Sequence, residues 1–229
     1  MAASRGMTNR QMLMVGAIFV ALVAAAFTAD SAVAMWVRQS GLEHWVRDVR
    51  VGNLIATICK APGSFWTASH GVFWTWLIPI AALCVWHPLK YFAGGFLALA
   101  NLMGLVTDLL KWLIGRVRPF RLHEQLGWPE PFALRPLRGG LRGLFEQTNL
   151  AFPSGHATTA FASATAMAIL LPRWKWVFYG VAAIVAAERV AENAHYLSDT
   201  VAGAGVSIIG VHATWRICVR GNKQGCPPL

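Results

Sequence analysis

The segment Arg189-Val-Ala-Glu-Asn-Ala-His-Tyr-Leu-Ser-Asp199 lies between two long apolar runs and decides how the rest of the chain is interpreted. It contains one arginine, one histidine and two carboxylates, Glu192 and Asp199. His195 and Asp199 are four residues apart, so in the first turn of a following helix their side chains share one face and can touch. A carboxylate beside histidine fixes the ring tautomer, leaves the other nitrogen free as a nucleophile or base, and stabilises the imidazolium.

Arg189 precedes His195 by six residues, about 240° around a straight helix, so the two side chains converge only if the helix is interrupted between them. Glu192 and Asn193 are poorly suited to an apolar span. We therefore expect the helix to break at these two residues.

Composition predicts an all-α, polytopic membrane protein. The 229 residues are 56% hydrophobic and only 13% charged, and the long apolar runs exceed those of a soluble domain. The net charge of +10 comes from basic residues scattered at loop ends, a pattern that disfavours nucleic acid as a partner. The four cysteines show no metal-type spacing, so neither a zinc site nor a disulfide framework is indicated.

The apolar runs predict a six-helix transmembrane bundle that forms a single integral-membrane domain over residues 1–229. The expected spans are 12–29, 71–87, 91–111, 155–171, 174–188 and 198–215. For the first, cleavage as a signal peptide after Ala32-Val-Ala34 is the competing interpretation. The short connectors His87-Pro88 and Pro172-Arg173 predict antiparallel neighbours. Tryptophans near the ends of the apolar runs, Trp215 among them, are expected to anchor the bundle at the membrane interfaces.

Between the first two spans, the pattern Ser40-Gly-Leu-Glu43 resembles a capping box and begins an amphipathic segment. Its apolar residues fall on one face and its charged residues on the other. We expect a helix lying on the periplasmic surface of the membrane.

The charge distribution predicts the orientation. The N-terminus, the two short connectors and the C-terminal tail contain eight Lys and Arg residues and no acid, whereas all ten acids fall in the opposite half of the topology. Both termini are therefore expected in the cytoplasm of a bacterial inner membrane, with the segment 189–199 facing the periplasm. The long loop from Arg118 to Pro153 is rich in proline and glycine and is expected to form an ordered but irregular cap.

Two further clusters are predicted on the same face as His195. Lys111-Trp-Leu-Ile-Gly-Arg-Val-Arg118 ends one span, and Pro153-Ser154-Gly155-His156 begins the next. The N–H groups of Ser154, Gly155 and His156 would form an anion site at a helix N-terminus, where Gly155 allows close approach.

Together these residues predict a site for a phosphoryl group. Lys111, Arg118 and Arg189 would hold its non-bridging oxygens, while one histidine attacks and the other protonates the leaving oxygen. Two other interpretations remain: a metal hydrolase built from His156, His195 and Asp199, and a lipid or anion transporter, or non-catalytic phospholipid-binding protein, that uses the cationic pocket for binding.

The three motifs, in this order, resemble the signatures of the type 2 phosphatidic acid phosphatase family, whose superfamily also includes vanadium haloperoxidases and glucose-6-phosphatase. They are Lys111-x6-Arg118-Pro119, Pro153-Ser154-Gly155-His156 and Arg189-x5-His195-x3-Asp199, within residues 111–199. The resemblance implies a membrane phosphatase that acts on a lipid-linked phosphate or diphosphate and needs no metal or other cofactor. Candidate substrates are undecaprenyl pyrophosphate, phosphatidylglycerophosphate, phosphatidic acid and lipid A.

The resemblance also implies individual roles. His195 would be the nucleophile that forms a phosphohistidine, Asp199 its orienting partner, and His156 the acid for the leaving group and the base for water. The phosphate would be bound by Lys111, Arg118, Arg189, the Ser154 side chain and the Ser154 and Gly155 backbone. Glu188 departs from the family, which commonly has serine there. Its carboxylate either weakens the hold of Arg189 on phosphate or points to the interface. The expected partners are the lipid phosphate and membrane lipids, and the oligomeric state stays open.

Several other residues are expected to serve structure. Arg116 and Lys90 are interpreted as anchors that extend to the membrane interface, and Asp108 as a charge partner that steadies Lys111. Asn101 is expected to make a hydrogen bond between helices. The small-residue face of the last span, with Gly203, Gly205 and Gly210, predicts close helix packing. Arginines in the cap loop weakly favour a diphosphate or lipid A as the substrate: Arg121, Arg135, Arg138 and Arg142.

Overall fold

The computed structural model describes residues 7–48, 82, 84–86, 90–126, 133–137 and 149–221. Within these ranges the backbone is helical, and its only β pairing is two isolated bridges, Arg116 with Leu134 and Val117 with Leu150. The all-α prediction is therefore confirmed for this part of the chain. The principal helices are α1 Asn9–Gln39, α2 Leu42–Asp48, α3 Lys90–Asn101, α4 Met103–Ile114, α5 Pro119–Leu126, α6 Gly155–Leu170, α7 Lys175–Ala191 and α8 Leu197–Gly221.

Three stretches of helix are long and apolar enough to cross a membrane: Asn9–Gln39, Tyr91–Ile114 and Leu197–Val219. They coincide with the first, third and sixth predicted spans. The fourth and fifth correspond to α6 and α7, whose 16 and 17 residues fall short of the roughly 20 that a bilayer core requires. The second, 71–87, lies largely outside the described residues. The chain thus has the helices of a multi-pass membrane protein, but the count of six is not confirmed.

Helix α6 packs against both α7 and α8, and α1 packs along α8. A 3-10 turn at Pro172–Trp174 joins α6 to α7, so these helices are the antiparallel neighbours that the short connector predicted. The core lies where α3, α6 and α8 meet. Trp215 is buried there at 3% exposure, with its ring against Phe92 and Phe96, so its prediction as an interfacial anchor is wrong.

Small and polar residues hold the helices close together, as expected. A Cβ at Gly203 would lie 2.8 Å from the carbonyl oxygen of Ser154, and one at Gly205 would lie 2.8 Å from the ring of Phe19. Asn101 accepts a hydrogen bond from the Ser163 hydroxyl at 2.9 Å, which confirms the predicted bond between helices.

The connection from α1 to α2 differs from the prediction. Helix α1 continues through Ala32 and Ala34, and Ser40 is its C-cap, with its hydroxyl donating to the carbonyl of Val37. Ser40 therefore ends α1 and does not begin a capping box. The side chain of Glu43 is buried and accepts a hydrogen bond from Asn193 at 3.4 Å. The capping-box prediction is wrong because Glu43 has a tertiary partner.

The cap loop is more regular than predicted where the structure describes it. It begins with the eight-residue helix α5, which has proline at its first position. Residues 133–137 and 149–151 pair with residues 112–118 through backbone hydrogen bonds such as Arg135 N–H to Gly115 O at 2.8 Å and Ala151 N–H to Arg116 O at 2.7 Å. Much of the remaining cap, including Arg138 and Arg142, lies outside the described residues.

The two ends of the bundle are chemically different. At one end the start of α1 meets the end of α8, where Met7 N–H donates to His212 and Arg216 donates to Asn9. At the other end the buried charged residues Asp30, Lys111, Arg116 and Asp199 gather. All three sequence motifs lie at this second end.

Candidate active site

The helix break predicted between Arg189 and His195 is present. Helix α7 ends at Ala191, Glu192 is its C-cap, and Asn193 adopts a left-handed conformation with φ of 54°. The amides of Ala194 and His195 both donate to the Arg189 carbonyl at 3.2 Å. This turn brings the Arg189 backbone next to His195 despite their six-residue separation.

His195 and Asp199 lie side by side, fully buried. The Nδ1 atom of His195 is 3.6 Å from Oδ2 of Asp199, and the two side chains are 1% and 0% exposed. Helix α8 begins at Leu197, so His195 lies just before the helix and Asp199 in its first turn. A separation of 3.6 Å is long for a hydrogen bond, although catalytic pairs commonly tighten when substrate binds.

The surroundings of His195 favour a neutral imidazole. Burial lowers its pKa well below the usual value, and the charges of Arg118, Lys111 and Arg189 lower it further, while a hydrogen bond with the Ala151 backbone acts in the opposite direction. A neutral ring retains the lone pair that a nucleophile needs.

Lys111 extends from the last turn of α4 toward the N-terminus of α6. A Cβ at Gly155 would lie 3.1 Å from the Lys111 Nζ atom, so glycine leaves room for the ammonium group to approach the helix N-terminus closely. Asp108, one turn earlier, is 3.9 Å from Nζ, which confirms it as the charge partner of Lys111. An ammonium group is thereby placed at a helix N-terminus that already attracts anions.

Ser154 is the N-cap of α6, and its hydroxyl accepts from the Ala157 amide at 3.5 Å. Its own N–H donates to the backbone carbonyl of Asp199 at 3.0 Å. The expectation that the Ser154 N–H binds phosphate is therefore not met, because a bond between helices already uses this donor. Within the described residues, the N–H groups of Gly155 and His156 have no such partner and are the donors available at this helix end.

Gly115 turns the chain after α4 and so places Arg116 and Arg118. It adopts φ of 67°, and a Cβ there would collide with the backbone of Arg135. The Arg118 Nε atom donates to the Leu150 carbonyl at 3.3 Å. Burial lowers the pKa of Arg118, and the positive charge of Arg189 lowers it further.

Arg189 is held by two carboxylates. Its Nη2 atom is 3.2 Å from Glu188 and 3.0 Å from Glu192, and all three side chains are largely buried. Two positions were considered for the Glu188 carboxylate, beside Arg189 or at the membrane interface. The structure favours direct contact with Arg189. The Arg189 Nε atom is buried and has no hydrogen-bond partner among the described residues.

His156, in the first turn of α6, is half-buried and interacts electrostatically with Arg189, His195, Lys111 and Arg118. The three motifs thus meet around both histidines. Within the part of the chain that the structure describes, no three His, Cys, Asp or Glu side chains are arranged to hold a metal ion.

The prediction that Arg116 is an anchor at the membrane interface is wrong. Its side chain is 1% exposed and contacts Asp30 and Asp199, so it is not an interfacial anchor. Asp30 and Ser198, both fully buried beside it, were also missed. The signal for Asp30 was an acid directly after an apolar run, since an ionisable residue inside a membrane helix needs a partner. The side chain of Lys90 lies outside the described residues.

Comparisons with known proteins identify the family to which the chain belongs. The sequence model of a family described as the PAP2 superfamily matches residues 91–223. Lipid A 1-phosphatases of Rhizobium etli and Rhizobium johnstonii are 40% identical over 100 residues, which are 44% of this chain but only 39% and 37% of those proteins. An undecaprenyl-diphosphatase of Sulfolobus acidocaldarius is 24% identical over 138 residues, covering 59% of this chain and 60% of that protein.

A solved structure resembles the fold. It is that of a transmembrane PAP2-type phosphatidylglycerolphosphate phosphatase from Bacillus subtilis, with a TM-score of 0.56 and 18% identity, covering 94% of this chain and 98% of that one. This likeness concerns the fold, whereas the family match over residues 91–223 confirms the resemblance expected from the three motifs.

Proposed function

Because this chain belongs to the PAP2 superfamily, we propose that it hydrolyses a lipid-linked phosphate through a phosphohistidine intermediate, without a metal ion or other cofactor. The main support is that the charges of Lys111, Arg118 and Arg189 act on both His156 and His195. His195 also lies 3.6 Å from the buried carboxylate of Asp199. Such an arrangement supplies a nucleophile, an acid and the positive charge that phosphoryl transfer requires.

In the first step, a ring nitrogen of neutral His195 attacks phosphorus while the bond to the lipid oxygen breaks. Asp199 stabilises the positive charge that develops on the imidazole. His156 gives its proton to the departing oxygen, which leaves as the lipid alcohol or, from a diphosphate, as the lipid monophosphate.

In the second step, His156 takes a proton from water, and the water oxygen attacks the phosphohistidine. The bond between nitrogen and phosphorus breaks, inorganic phosphate forms, and His195 returns to its neutral state. Throughout, the three cations and the N–H groups of Gly155 and His156 stabilise the charge on the equatorial oxygens. The Ser154 hydroxyl contributes from the helix cap.

Lipid A phosphate is the first substrate to test. Two relatives at 40% identity are named lipid A 1-phosphatases, and the described cap contains Arg121 and Arg135, which suit a headgroup with more than one anionic group. The matched region covers only about two fifths of those relatives, so the other candidates stay in the panel: undecaprenyl pyrophosphate, phosphatidylglycerophosphate and phosphatidic acid.

The decisive experiment is phosphate release by the purified full-length protein, in nanodiscs, across these four lipids. We expect release from at least one of them, undiminished by saturating EDTA and inhibited by orthovanadate, which mimics the trigonal-bipyramidal transition state. Loss of activity in EDTA with recovery on adding zinc or magnesium would favour the metal hydrolase. Binding of lipid phosphate without any release would favour a transporter or a non-catalytic binding protein.

We further propose that the site faces the periplasm of a bacterial inner membrane, within one integral-membrane domain. The support is the set of eight cations without an acid on the other side of the topology. A cysteine at position 139, in a background lacking Cys59, should react with a membrane-impermeant thiol reagent in intact spheroplasts, and one at position 223 should not. The reverse labelling pattern would invert the orientation.

A further inference from the structure

Arg116 forms a buried ion-pair network beside the candidate nucleophile. Its Nη1 atom donates to Oδ1 of Asp199 at 2.5 Å and to the Ser198 hydroxyl at 2.7 Å, and its Nη2 atom donates to Oδ2 of Asp30 at 2.7 Å. The rings of Phe27 and Tyr196 lie 4.5 and 4.1 Å from the guanidinium carbon. One guanidinium thus bridges two carboxylates from different helices in a site that excludes water.

Asp30 connects α1 to the start of α8. Its Oδ1 atom accepts from the Ser198 amide at 2.9 Å, and its Oδ2 atom accepts from the Ser198 hydroxyl at 2.5 Å. Ser198 lies in the first turn of α8, where backbone N–H groups lack partners within the helix. A carboxylate from α1 therefore caps the helix that carries Asp199, and its negative charge is favourable at a helix N-terminus.

The two oxygens of Asp199 have different neighbours. Oδ1 binds Arg116, whereas Oδ2 accepts from the Tyr196 amide at 2.8 Å and is the oxygen that lies nearest to Nδ1 of His195. A carboxylate held at one oxygen by a bridging guanidinium cannot rotate freely. The orientation of Asp199 toward His195 thus depends on Arg116, which occupies one of the unspecified positions between Lys111 and Arg118 in the first motif.

We propose that Arg116 and Asp30 are positioning residues for the reaction: Arg116 holds Oδ1 of Asp199 so that Oδ2 faces His195, and Asp30 fixes Arg116 from α1. This inference rests on the proposed phosphohistidine chemistry. The residues touch neither substrate nor the reacting atoms, and they act through Asp199.

A purely structural role for Arg116 and Asp30 would predict different kinetics in their variants. The same network joins α1 and α8 to the segment that follows α4, so its loss would also loosen the bundle. A structural defect would disturb phosphate binding and turnover together, whereas a positioning defect lowers kcat and leaves KM in place. The phosphate-binding groups, Lys111, Arg118, Arg189 and the α6 N-terminus, make no contact with Asp30 that the structure shows.

The test uses Arg116→Lys and Asp30→Asn in the full-length protein. Lysine keeps the charge but lacks the planar fork that reaches two carboxylates at once, and asparagine keeps the shape of Asp30 but removes its charge. We expect kcat to fall about 10- to 100-fold, by analogy with the loss seen when the hydrogen-bond partner that orients a metal-binding histidine or carboxylate is removed. KM and competitive inhibition by inorganic phosphate should stay within about twofold of wild type.

Ser207→Ala is the matched control. Ser207 is fully buried in α8 and donates to the carbonyls of Thr158 and Gly203 at 2.7 Å, far along the helix from Asp199. It should lower the thermal unfolding midpoint but leave kcat within about twofold. If Arg116→Lys and Asp30→Asn do not accumulate as folded protein, Ser198→Ala decides, with an expected loss in kcat of about three- to tenfold at unchanged KM.

Wild-type kcat in the network variants would overturn the proposal. So would a parallel rise in KM and in the phosphate inhibition constant, or a loss of kcat in Ser207→Ala equal to theirs. If the wild-type protein itself releases no phosphate from any lipid or from p-nitrophenyl phosphate, the proposed function fails, and this inference fails with it. If wild type is active and the variants match it, only the inference fails.

Discussion

The Nδ1 atom of His195 lies 3.6 Å from Oδ2 of Asp199, while the other oxygen of the same carboxylate binds Arg116 at 2.5 Å. A single buried side chain thus joins the candidate nucleophile to the ion pairs between helices. This explains why a histidine outside regular helix is held in one place, with its carboxylate fixed from both sides. Substitutions of individual residues can therefore test the role proposed for each of them.

Replacing His195 by alanine should abolish turnover while the protein still inserts and folds. The ring supplies the attacking nitrogen, and loss of a nucleophile commonly costs at least about a thousandfold in kcat. Phosphate release from a lipid substrate is the measurement. His44→Ala is the control, because His44 is exposed on α2. Activity of the His195 variant above about one tenth of wild type would remove the nucleophile assignment.

Replacing Glu188 by serine should improve phosphate binding. Arg189 is shared between Glu188 at 3.2 Å and Glu192 at 3.0 Å, so a substrate phosphate competes with both carboxylates. Arg189 keeps its pair with Glu192 in this variant, and an ion pair that retains some solvent exposure is worth about 1 kcal/mol or less. We therefore expect KM to fall roughly two- to fivefold with kcat little changed. Steady-state kinetics on lipid phosphate test this.

Glu188→Gln separates charge from shape in the same position. It should lower KM in the same direction as serine, since both remove the competing charge. If KM rises in both variants, then Glu188 holds Arg189 in its binding geometry, and its carboxylate assists the site.

Replacing Gly203 by alanine should weaken both stability and substrate binding. The new Cβ would lie 2.8 Å from the Ser154 carbonyl and 3.0 Å from the Thr158 hydroxyl, so the start of α6 must move. Overpacking of this kind costs about 1–3 kcal/mol. We expect a lower unfolding midpoint together with a higher KM, because the N–H donors of Gly155 and His156 move as well.

Gly180→Ala is the control for this change. Nothing lies within 4 Å of a Cβ at Gly180, and alanine is favoured over glycine inside a helix by up to about 1 kcal/mol. This variant should be as stable as wild type or more so, with unchanged KM. An unchanged KM in Gly203→Ala would show that the α6 N-terminus tolerates the shift.

The sequence allowed prediction of features that depend on local chemistry. Polar residues inside an apolar run indicated the break at Glu192 and Asn193. Pro153, shortly before the apolar run, indicated the start of α6, where the first N–H groups were expected to form an anion site. Each signal involves residues that are near one another in the chain, so the pattern itself contains the information.

The features that were missed depend on contacts between distant segments. Asp30 and Arg116 are 86 positions apart, and the predicted first span stopped at Ala29 because the next residue is charged. Likewise, the sequence predicts a free N–H at Ser154, whereas in the fold this group donates to the Asp199 carbonyl. Pairing across helices follows from how the bundle packs, which no local pattern specifies.

The separate roles proposed for the two histidines predict that the rate lost on removing His156 depends on the leaving group. His156 is half-buried and interacts electrostatically with His195 and all three motif cations, and the proposed mechanism assigns it the proton for the leaving oxygen. A lipid alkoxide is a poor leaving group and needs a proton, whereas an aryl oxide departs with little help. His156→Ala should therefore lose about 10²–10⁴ in rate on a lipid phosphomonoester and clearly less on p-nitrophenyl phosphate.

His195→Ala supplies the comparison, because loss of the nucleophile should slow both substrates alike. Rapid-quench measurement of the phosphohistidine adds a second observable. With p-nitrophenyl phosphate, the His156 variant should form the intermediate and accumulate it, since the base for the water step is also missing. Equal losses on both substrates without accumulation would mean that His156 only shapes the anion site, and the acid for the leaving oxygen would then have to be sought in another residue.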